Sequence, residues 1–454
     1  MPHSLSLPSS PAATLTKPAA APLSSASTST STAGVDLGAF TLDAGRRRER
    51  NEARVAATGR DFRTDTITVP SEEMLEFMRD ASRGDDVYKE DEDTLELQER
   101  IAKLAGKEAA LFCVSGTMTN QLAIRAHLSA PPYSILLDPR AHVHRSEAGG
   151  IAFHTGATTY TVEPANGHHM AVEEVMQSVV GEDGDVHGAP TRLVCVENTL
   201  SGMIYLQSEL VALSAALSAL SPPIPLHCDG ARLWEVVAKT GMTLEEACRP
   251  FETVSLCLSK GLGAPVGSVL VGPKKLIDRA THLRKLFGGG IRQSGSLALA
   301  ALYSLDHVLP QLPRTHALAS RLAAGLTAPD VGCALELPVE TNMVWIEPES
   351  AGFSLDELAE AAWREKGVRV STGWGRLVVH YQVTEGAVED LVGVARGLAA
   401  SEGAREKRER WEEEHGEEEV RRTRERSMAF ARGEWDGWGL GKSKKRGGYG
   451  TGKK

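Results

Sequence analysis

The apolar positions of this chain fall into short runs bounded by glycine, proline and polar joints, with helix-spaced stretches between them. Residues 109–114, 134–137, 192–196, 223–228 and 254–258 are such runs, each four to six residues long. Runs of that length bounded by turn residues read as buried strands. Between them, Leu95, Leu97, Ile101 and Leu104 fall mostly on one helical face that Gly106 terminates. Residues 121–128 continue at helical spacing. Ser71 followed by Glu72 and Glu73 is a helix start, with a capping hydroxyl and acids in the first turn. Strands alternating with helices predict βαβ units, hence an α/β fold whose mostly parallel sheet is flanked by helices. From about Leu299 the helical pattern continues through 314–326, and 331–337, 343–346, 368–370 and 377–381 read as short strands. The expected organisation is a large domain over 61–305 and a smaller C-terminal α+β domain over 306–400.

The two ends have a different composition. Residues 1 to about 45 are Ser, Thr, Ala and Pro with few large apolar side chains. Such a segment cannot offset its ordering entropy by burial, so 1–60 is expected to stay disordered. It has no apolar signal-peptide region. It is Ser-rich and acid-poor like a mitochondrial presequence, but arginines appear only at Arg46, Arg47 and Arg48, beside Glu49. A cytoplasmic address is the expectation, with a mitochondrial one left open. Residues 401–432, dense in Glu, Arg and Lys, read as a solvated helix, and 441–454 as a basic, glycine-rich tail. Within that tail Gly447 to Lys453 satisfies G-x-x-x-x-G-K. It lacks the following Ser or Thr and room for a helix, which rules out a P-loop.

At 454 residues the chain can hold more than one domain, and its net charge of −10 argues against nucleic acid as a principal partner. Six cysteines are scattered without a C-x-x-C pair, which points to buried free thiols in a reducing compartment. No run of 18 apolar residues exists to span a membrane.

The candidate chemistry sits at the ends of the predicted strands. The run 254–258 leads to Lys260, followed by Gly261, Gly263 and Gly267. Desolvating a lysine at the mouth of a buried strand favours the neutral amine, the nucleophile a Schiff base needs. Most strand-end lysines, however, simply reach into water. Ser115-Gly116-Thr117 joins strand 109–114 to a helix, and a helix N-terminus there suits a phosphate. An ordinary N-cap by Ser115 or Thr117 explains the same residues. Asp229 and Arg232 close the run 223–228, either aimed together into one crevice or simply paired with each other. His142 and His144 lack further ligands at metal-binding spacing. One lysine, one carboxylate and one phosphate-binding helix start at the same sheet edge fit pyridoxal phosphate, whose aldehyde, pyridinium nitrogen and phosphate need those partners.

Taken in order, several motifs resemble the threonine aldolase family of fold-type I pyridoxal phosphate enzymes. They are Asp61-Phe62-Arg63-Thr64-Asp65-Thr66, Ser115-Gly116-Thr117, His142 through Glu147 to Gly150, and Glu197-Asn198-Thr199. Cys228-Asp229-Gly230-Ala231-Arg232, Leu258-Ser259-Lys260-Gly261 through Gly267, and Gly288 through Gln293 complete the set. The resemblance covers about 61–400. It implies that Lys260 carries the cofactor's aldehyde, Asp229 pairs with the pyridinium nitrogen and His142 stacks on the ring. It further implies that Arg232 approaches the phenolic oxygen and the substrate carboxylate, and that Gly116 and Thr117 hold the phosphate. Lys285 and Arg292 would add phosphate contacts from a neighbouring subunit of a homodimer or homotetramer. Thr64 and Arg376 would clamp the substrate carboxylate, arginine for its bidentate fork. The implied reaction is cleavage of L-threonine or L-allo-threonine to glycine and acetaldehyde, and the alternative on this scaffold is racemisation of alanine. Thr64 stands where many relatives have serine. Leu200 stands where bacterial relatives usually carry histidine, which leaves His142 or a bound water as base for the substrate hydroxyl.

Overall fold

The structure, a computed structural model, describes residues 44–182 and 186–434. Seven strands, β1 (Ala109–Cys113), β2 (Ser134–Leu137), β3 (Thr158–Thr161), β4 (Thr191–Glu197), β5 (Leu226–Asp229), β6 (Thr253–Cys257) and β7 (Ser268–Gly272), form one sheet. Its spatial order is β1-β7-β6-β5-β4-β2-β3. All neighbours from β3 across to β6 are parallel, and β7 runs antiparallel to both β6 and β1. Every residue of β2, β5, β6 and β7 is buried, as expected where helices cover both faces of a sheet. The α/β architecture and mostly parallel sheet read from the sequence are therefore present.

Two strands carried little or no sequence signal. β3 is Thr-Thr-Tyr-Thr on the sheet edge, half exposed and without an apolar run. β7 returns from the Lys260 loop as a direct reversal rather than through a helix.

A smaller antiparallel sheet contains β8 (Ala334–Leu335), β9 (Met343–Glu347) and β10 (Arg376–Val378), in the order β10-β9-β8. Helices Leu312–Thr327, Leu355–Lys366 and Glu385–Ala399 pack with it around Leu322, Val344, Leu377 and Leu391. Residues 368–370 are not a strand. Arg369 makes an isolated bridge with Asp61 instead, and Phe62 N–H donates to Arg369 C=O while Val378 N–H donates to Phe62 C=O, both at 2.8 Å. The first ordered residues of the body thus pair with the C-terminal domain.

Three expectations about the ends need correction. Within the segment expected to be disordered, Ala44–Thr58 is a helix, because its Ala, Arg and Glu residues are strong helix formers. The rest of that segment, 1–43, and the basic tail 435–454 with its rejected P-loop lie outside the described residues. The run 401–432 is two helices, Glu402–His415 and Glu417–Ala431, interrupted at Gly416, whose φ of +74° is one that glycine adopts freely. Nor is the second helix merely solvated. It buries Val420, Ser427 and Phe430, and Ser427 Oγ accepts the Leu335 N–H at 2.8 Å. A few apolar positions in a charge-rich run are enough to dock it on the small domain. Among the described residues no helix is long and apolar enough to cross a membrane.

Candidate active site

The parallel strands deliver their C-terminal ends to one edge, where Glu197 of β4 stands in register with Asp229 of β5, and Asp229 with Ser255 of β6. In open α/β sheets that edge faces the ligand crevice.

Lys260 follows β6 in a tight loop. Leu258 N–H donates to Gly267 C=O at 3.0 Å, Ala264 N–H to Leu258 C=O at 3.0 Å, and Gly263 N–H to Lys260 C=O at 2.9 Å. Gly263 has φ +73°, and a Cβ there would lie 2.6 Å from the Tyr381 ring, so both conformation and space require glycine. The Lys260 side chain is half-buried, and its ammonium has no hydrogen bond or ion pair among the described residues. It lies close enough to Asp65, His142 and Glu197 for its charge to act on each.

Asp229 is buried, and Asn120 Nδ2 donates to its Oδ2 at 2.8 Å while Ala231 N–H donates to Oδ1 at 3.1 Å. Asn120 belongs to the helix Gly116–His127. Its Oδ1 is 3.2 Å from His227 Nε2, and burial pushes His227 down to about 4, leaving a neutral ring that orients the amide. The ordinary cap is also present: Ser115 Oγ accepts Met118 N–H at 3.2 Å. The N–H groups of Gly116 and Thr117 lie in the first turn, where a helix offers them no internal acceptor. The same helix is tied to the lysine-bearing strand by Thr119 Oγ1 and Ser255 Oγ, 2.5 Å apart.

His142 donates through Nδ1 to Glu147 Oε1 at 3.0 Å, and that bond raises its proton affinity against the opposing effect of burial. Glu147 also accepts Asn120 Nδ2 on Oε1 at 2.9 Å and Gln121 Nε2 on Oε2 at 2.5 Å. One ligand atom each from His142, Glu147 and Asp229 lies within 4.8 Å of the others, a spacing compatible with a cation. The amides of Asn120 and Gln121 already donate to these carboxyls, so the cluster is built as a hydrogen-bonded relay. His144 is exposed and outside it.

Arg232 is largely enclosed and bidentate on the buried Asp65, with Nε to Oδ2 and Nη2 to Oδ1 both 2.7 Å. Burial alone would raise the Asp65 carboxyl, but Arg232, with help from Lys260, outweighs it and holds the group down at about 2. Thr64 precedes Asp65 and caps its turn, Oγ1 accepting Thr66 N–H at 3.3 Å. Arg376 is half-buried with its guanidinium 5.9 Å from the Trp345 ring and 5.8 Å from that of Trp374, and burial together with the Arg232 charge depresses its proton affinity. Two guanidinium groups therefore act on each other at one corner.

Glu197 accepts the His142 backbone N–H on Oε2 at 2.7 Å. Burial and the neighbouring Asp229 push its carboxyl up to about 7. It lines a cavity with Leu200, Met203, Tyr205 and His169.

Lys260, Asp229, Arg232, His142, Thr64 and Arg376 are thus gathered at the edge of the large sheet, with Gly116 and Thr117 starting the helix that bears Asn120. Lys285 and Arg292 are not gathered there. Lys285 is exposed in the last turn of the helix Lys274–Leu286, and the Arg292 side chain, 82% exposed, lies 3.6 Å from Asp85. Asp65, Asn120, Glu147 and Glu197 carry much of the site's order yet had no role assigned from sequence. For Asp65, Asn120 and Glu197 a partner lies far along the chain, in Arg232, Asp229 and His142.

The chain matches the family described as beta-eliminating lyase over residues 61–350. It is similar to the low specificity L-threonine aldolase of Saccharomyces cerevisiae, 46% identical over 334 residues that cover 73% of this chain and 84% of that one. An alanine racemase of Cochliobolus carbonum is 36% identical over 355 residues, covering 76% of this chain and 89% of that one. Among solved structures, Leishmania major threonine aldolase shares the fold with a TM-score of 0.62 at 22% identity, over 75% of this chain and 99% of that one.

Proposed function

The chain belongs to the beta-eliminating lyase family, and from that premise we propose that it is a pyridoxal phosphate-dependent aldehyde-lyase cleaving L-threonine and L-allo-threonine to glycine and acetaldehyde. The observation that carries this reading is an unpartnered, half-buried lysine amine on the same sheet edge as a buried, amide-fixed aspartate. The residues fit the cofactor: Lys260 offers the amine for its aldehyde and Asp229 the acid for its ring nitrogen. Gly116 and Thr117 offer first-turn N–H groups for its phosphate, and His142 a half-buried ring face. When bound, the cofactor supplies the electron sink for a bond broken at the substrate's α-carbon.

The chain's own residues hold and orient. Asp229, kept in place by Asn120 and the Ala231 N–H, keeps a proton on the ring nitrogen. The two guanidinium groups at the Arg232–Arg376 corner form a site for a carboxylate, with the planar fork of Arg376 as the bidentate partner and Thr64 beside it. Arg232 already gives two donors to Asp65, so it serves as a fixed positive charge rather than a mobile clamp. Lys285 and Arg292 serve the phosphate of a neighbouring copy in a homodimer or homotetramer, a role that their exposure away from this chain's own cluster supports. All six cysteines are buried free thiols, which supports a reducing compartment such as the cytoplasm.

Incubation with L-threonine, with acetaldehyde and glycine both assayed, tests the reading, and absence of both products ends it. Racemisation of L-alanine is the second reading. Leu200, which offers no acceptor for a hydroxyl proton, and the similarity to a racemase favour it. Optical rotation of L-alanine without threonine cleavage would establish it.

A further inference from the structure

Resting on the retro-aldol reading, we propose that Glu197 is the catalytic residue that takes the proton from the substrate's β-hydroxyl. The substrate O–H bond breaks, its proton passing to a Glu197 carboxylate oxygen and its electron pair becoming the second C–O bond of the aldehyde. The Cα–Cβ bond opens in the same step, its pair stays on the glycine fragment, and a proton delivered to that carbon closes the balance.

The assignment follows from which acceptors at this edge are already engaged. Asp65 is consumed by the Arg232 fork. Glu147 accepts from His142, Asn120 and Gln121. Asp229 accepts from Asn120 and the Ala231 N–H. Asp138 accepts Arg140 Nε on Oδ1 at 2.9 Å and Nη2 on Oδ2 at 2.7 Å. The Tyr205 hydroxyl donates to Met170 C=O, and the His169 ring sits against Tyr205 with its Nδ1 2.8 Å from His168 Nδ1. His142 has its Nδ1 tied to Glu147, a bond that raises its affinity for a proton and so weakens it as an acceptor. Leu200 brings no polar atom.

Among the carboxylates at this edge Glu197 differs. One oxygen accepts a single neutral N–H, from His142, and the other has no hydrogen-bond partner among the described residues. Its side chain is half-buried and lines the cavity shared with Leu200 and His169, beside Lys260 and in strand register with Asp229. The groups that face it are Asp229 from β5, Lys260 after β6, His142 from its short helix, and Asp138, His168, His169 and Tyr205 from the cavity wall. Burial and Asp229 raise its proton affinity above that of an ordinary carboxyl, the direction a general base working near neutrality requires.

The test is Glu197→Gln, isosteric but unable to accept the proton, in the cofactor-loaded full chain. Threonine cleavage should fall by roughly 100-fold or more, the range for losing a general base. Exchange of the glycine α-proton in heavy water, which involves no hydroxyl, should change by no more than about threefold, since it does not draw on that base. The absorption band of the bound cofactor should not move, and the acid limb of the parent's cleavage profile should vanish in the variant. Cleavage within about tenfold of the parent, below the usual general-base effect, overturns the assignment. So does an equal loss of exchange and cleavage, a displaced absorption band, or a retained acid limb. A parent that cleaves no threonine at all defeats the underlying reading instead, which separates the two failures.

Discussion

Replacing Asp65 with asparagine tests the corner on which substrate binding depends. The carboxyl is fully buried, and Arg232 and Lys260 hold it at about 2 against an ordinary 3.8 despite the opposing effect of burial. A displacement of roughly two units corresponds to about 2–3 kcal/mol. The amide would keep the shape but leave the largely enclosed Arg232 charge without compensation, and breaking a buried pair costs at most about 3–5 kcal/mol. Asp65→Asn should therefore lose between about 2 and 5 kcal/mol, read by urea unfolding of the cofactor-loaded protein followed by circular dichroism. A folded-state value below the ordinary one means the stabilisation is complete above about pH 4 and is lost only as pH falls through about 2. The gap between parent and variant should accordingly be the same at pH 7 and pH 5. The Michaelis constant for threonine should rise as the guanidinium loses its anchor. A gap under about 1 kcal/mol, the scale of an exposed pair, would refute the reasoning, as would one that shrinks between those two pH values.

Other perturbations address the remaining parts. Borohydride reduction of the loaded protein should fix the cofactor to the peptide containing Lys260, and Lys260→Ala should stay colourless under the same treatment, by mass and absorbance. Asn120→Ala removes a buried donor to Asp229 and should weaken cofactor retention by roughly tenfold, about the loss of one charge-assisted bond, measured by dialysis against buffer. If Lys285 and Arg292 serve a neighbouring copy, mixing inactive Lys260→Ala and Arg292→Ala chains should regenerate activity, whereas same-chain action predicts none. Gly263→Ala, at φ +73° and facing the Tyr381 ring, should cost about 1–3 kcal/mol and displace the lysine loop, seen as reduced thermal stability and reduced activity together.

The parts of the fold legible in the sequence were those with their own periodicity. The run 134–137 coincides with β2, the run 254–258 is displaced by one residue from β6, and the helix read over 314–326 is Leu312–Thr327. Legibility failed where an element owes its state to a distant partner. Residues 368–370 look like a strand, but Arg369 bridges only to the segment at Asp61 and Phe62. β3 is polar because it is an edge, and Glu417–Ala431 hides its apolar seam among charges. The site divides the same way. Lys260 and Asp229 announce themselves by closing apolar runs. Asn120 reads as one polar residue on a helix until the fold brings it to Asp229, 109 positions away in sequence. Glu197 sat in a recognised motif, yet nothing local marks it as the carboxyl with an unpartnered oxygen.

The pairing of Phe62 with Arg369 and Val378 fixes the order in which a nascent chain can mature. The stretch from Gly59 to Val69 finds distant backbone partners in Arg369, Val378 and Thr384, and side-chain partners for its backbone in His380, Tyr381 and Gln382. While the ribosome is still making the region before Arg369, the peptide bearing Asp65 lacks this whole set of anchors. The stretch that follows the helix Ala44–Thr58 thus gains its anchors only after the small domain has been made. A transcript truncated shortly before Arg369 would yield a polypeptide that has both key sheet-edge residues, Lys260 and Asp229, but none of the distant backbone partners of Phe62.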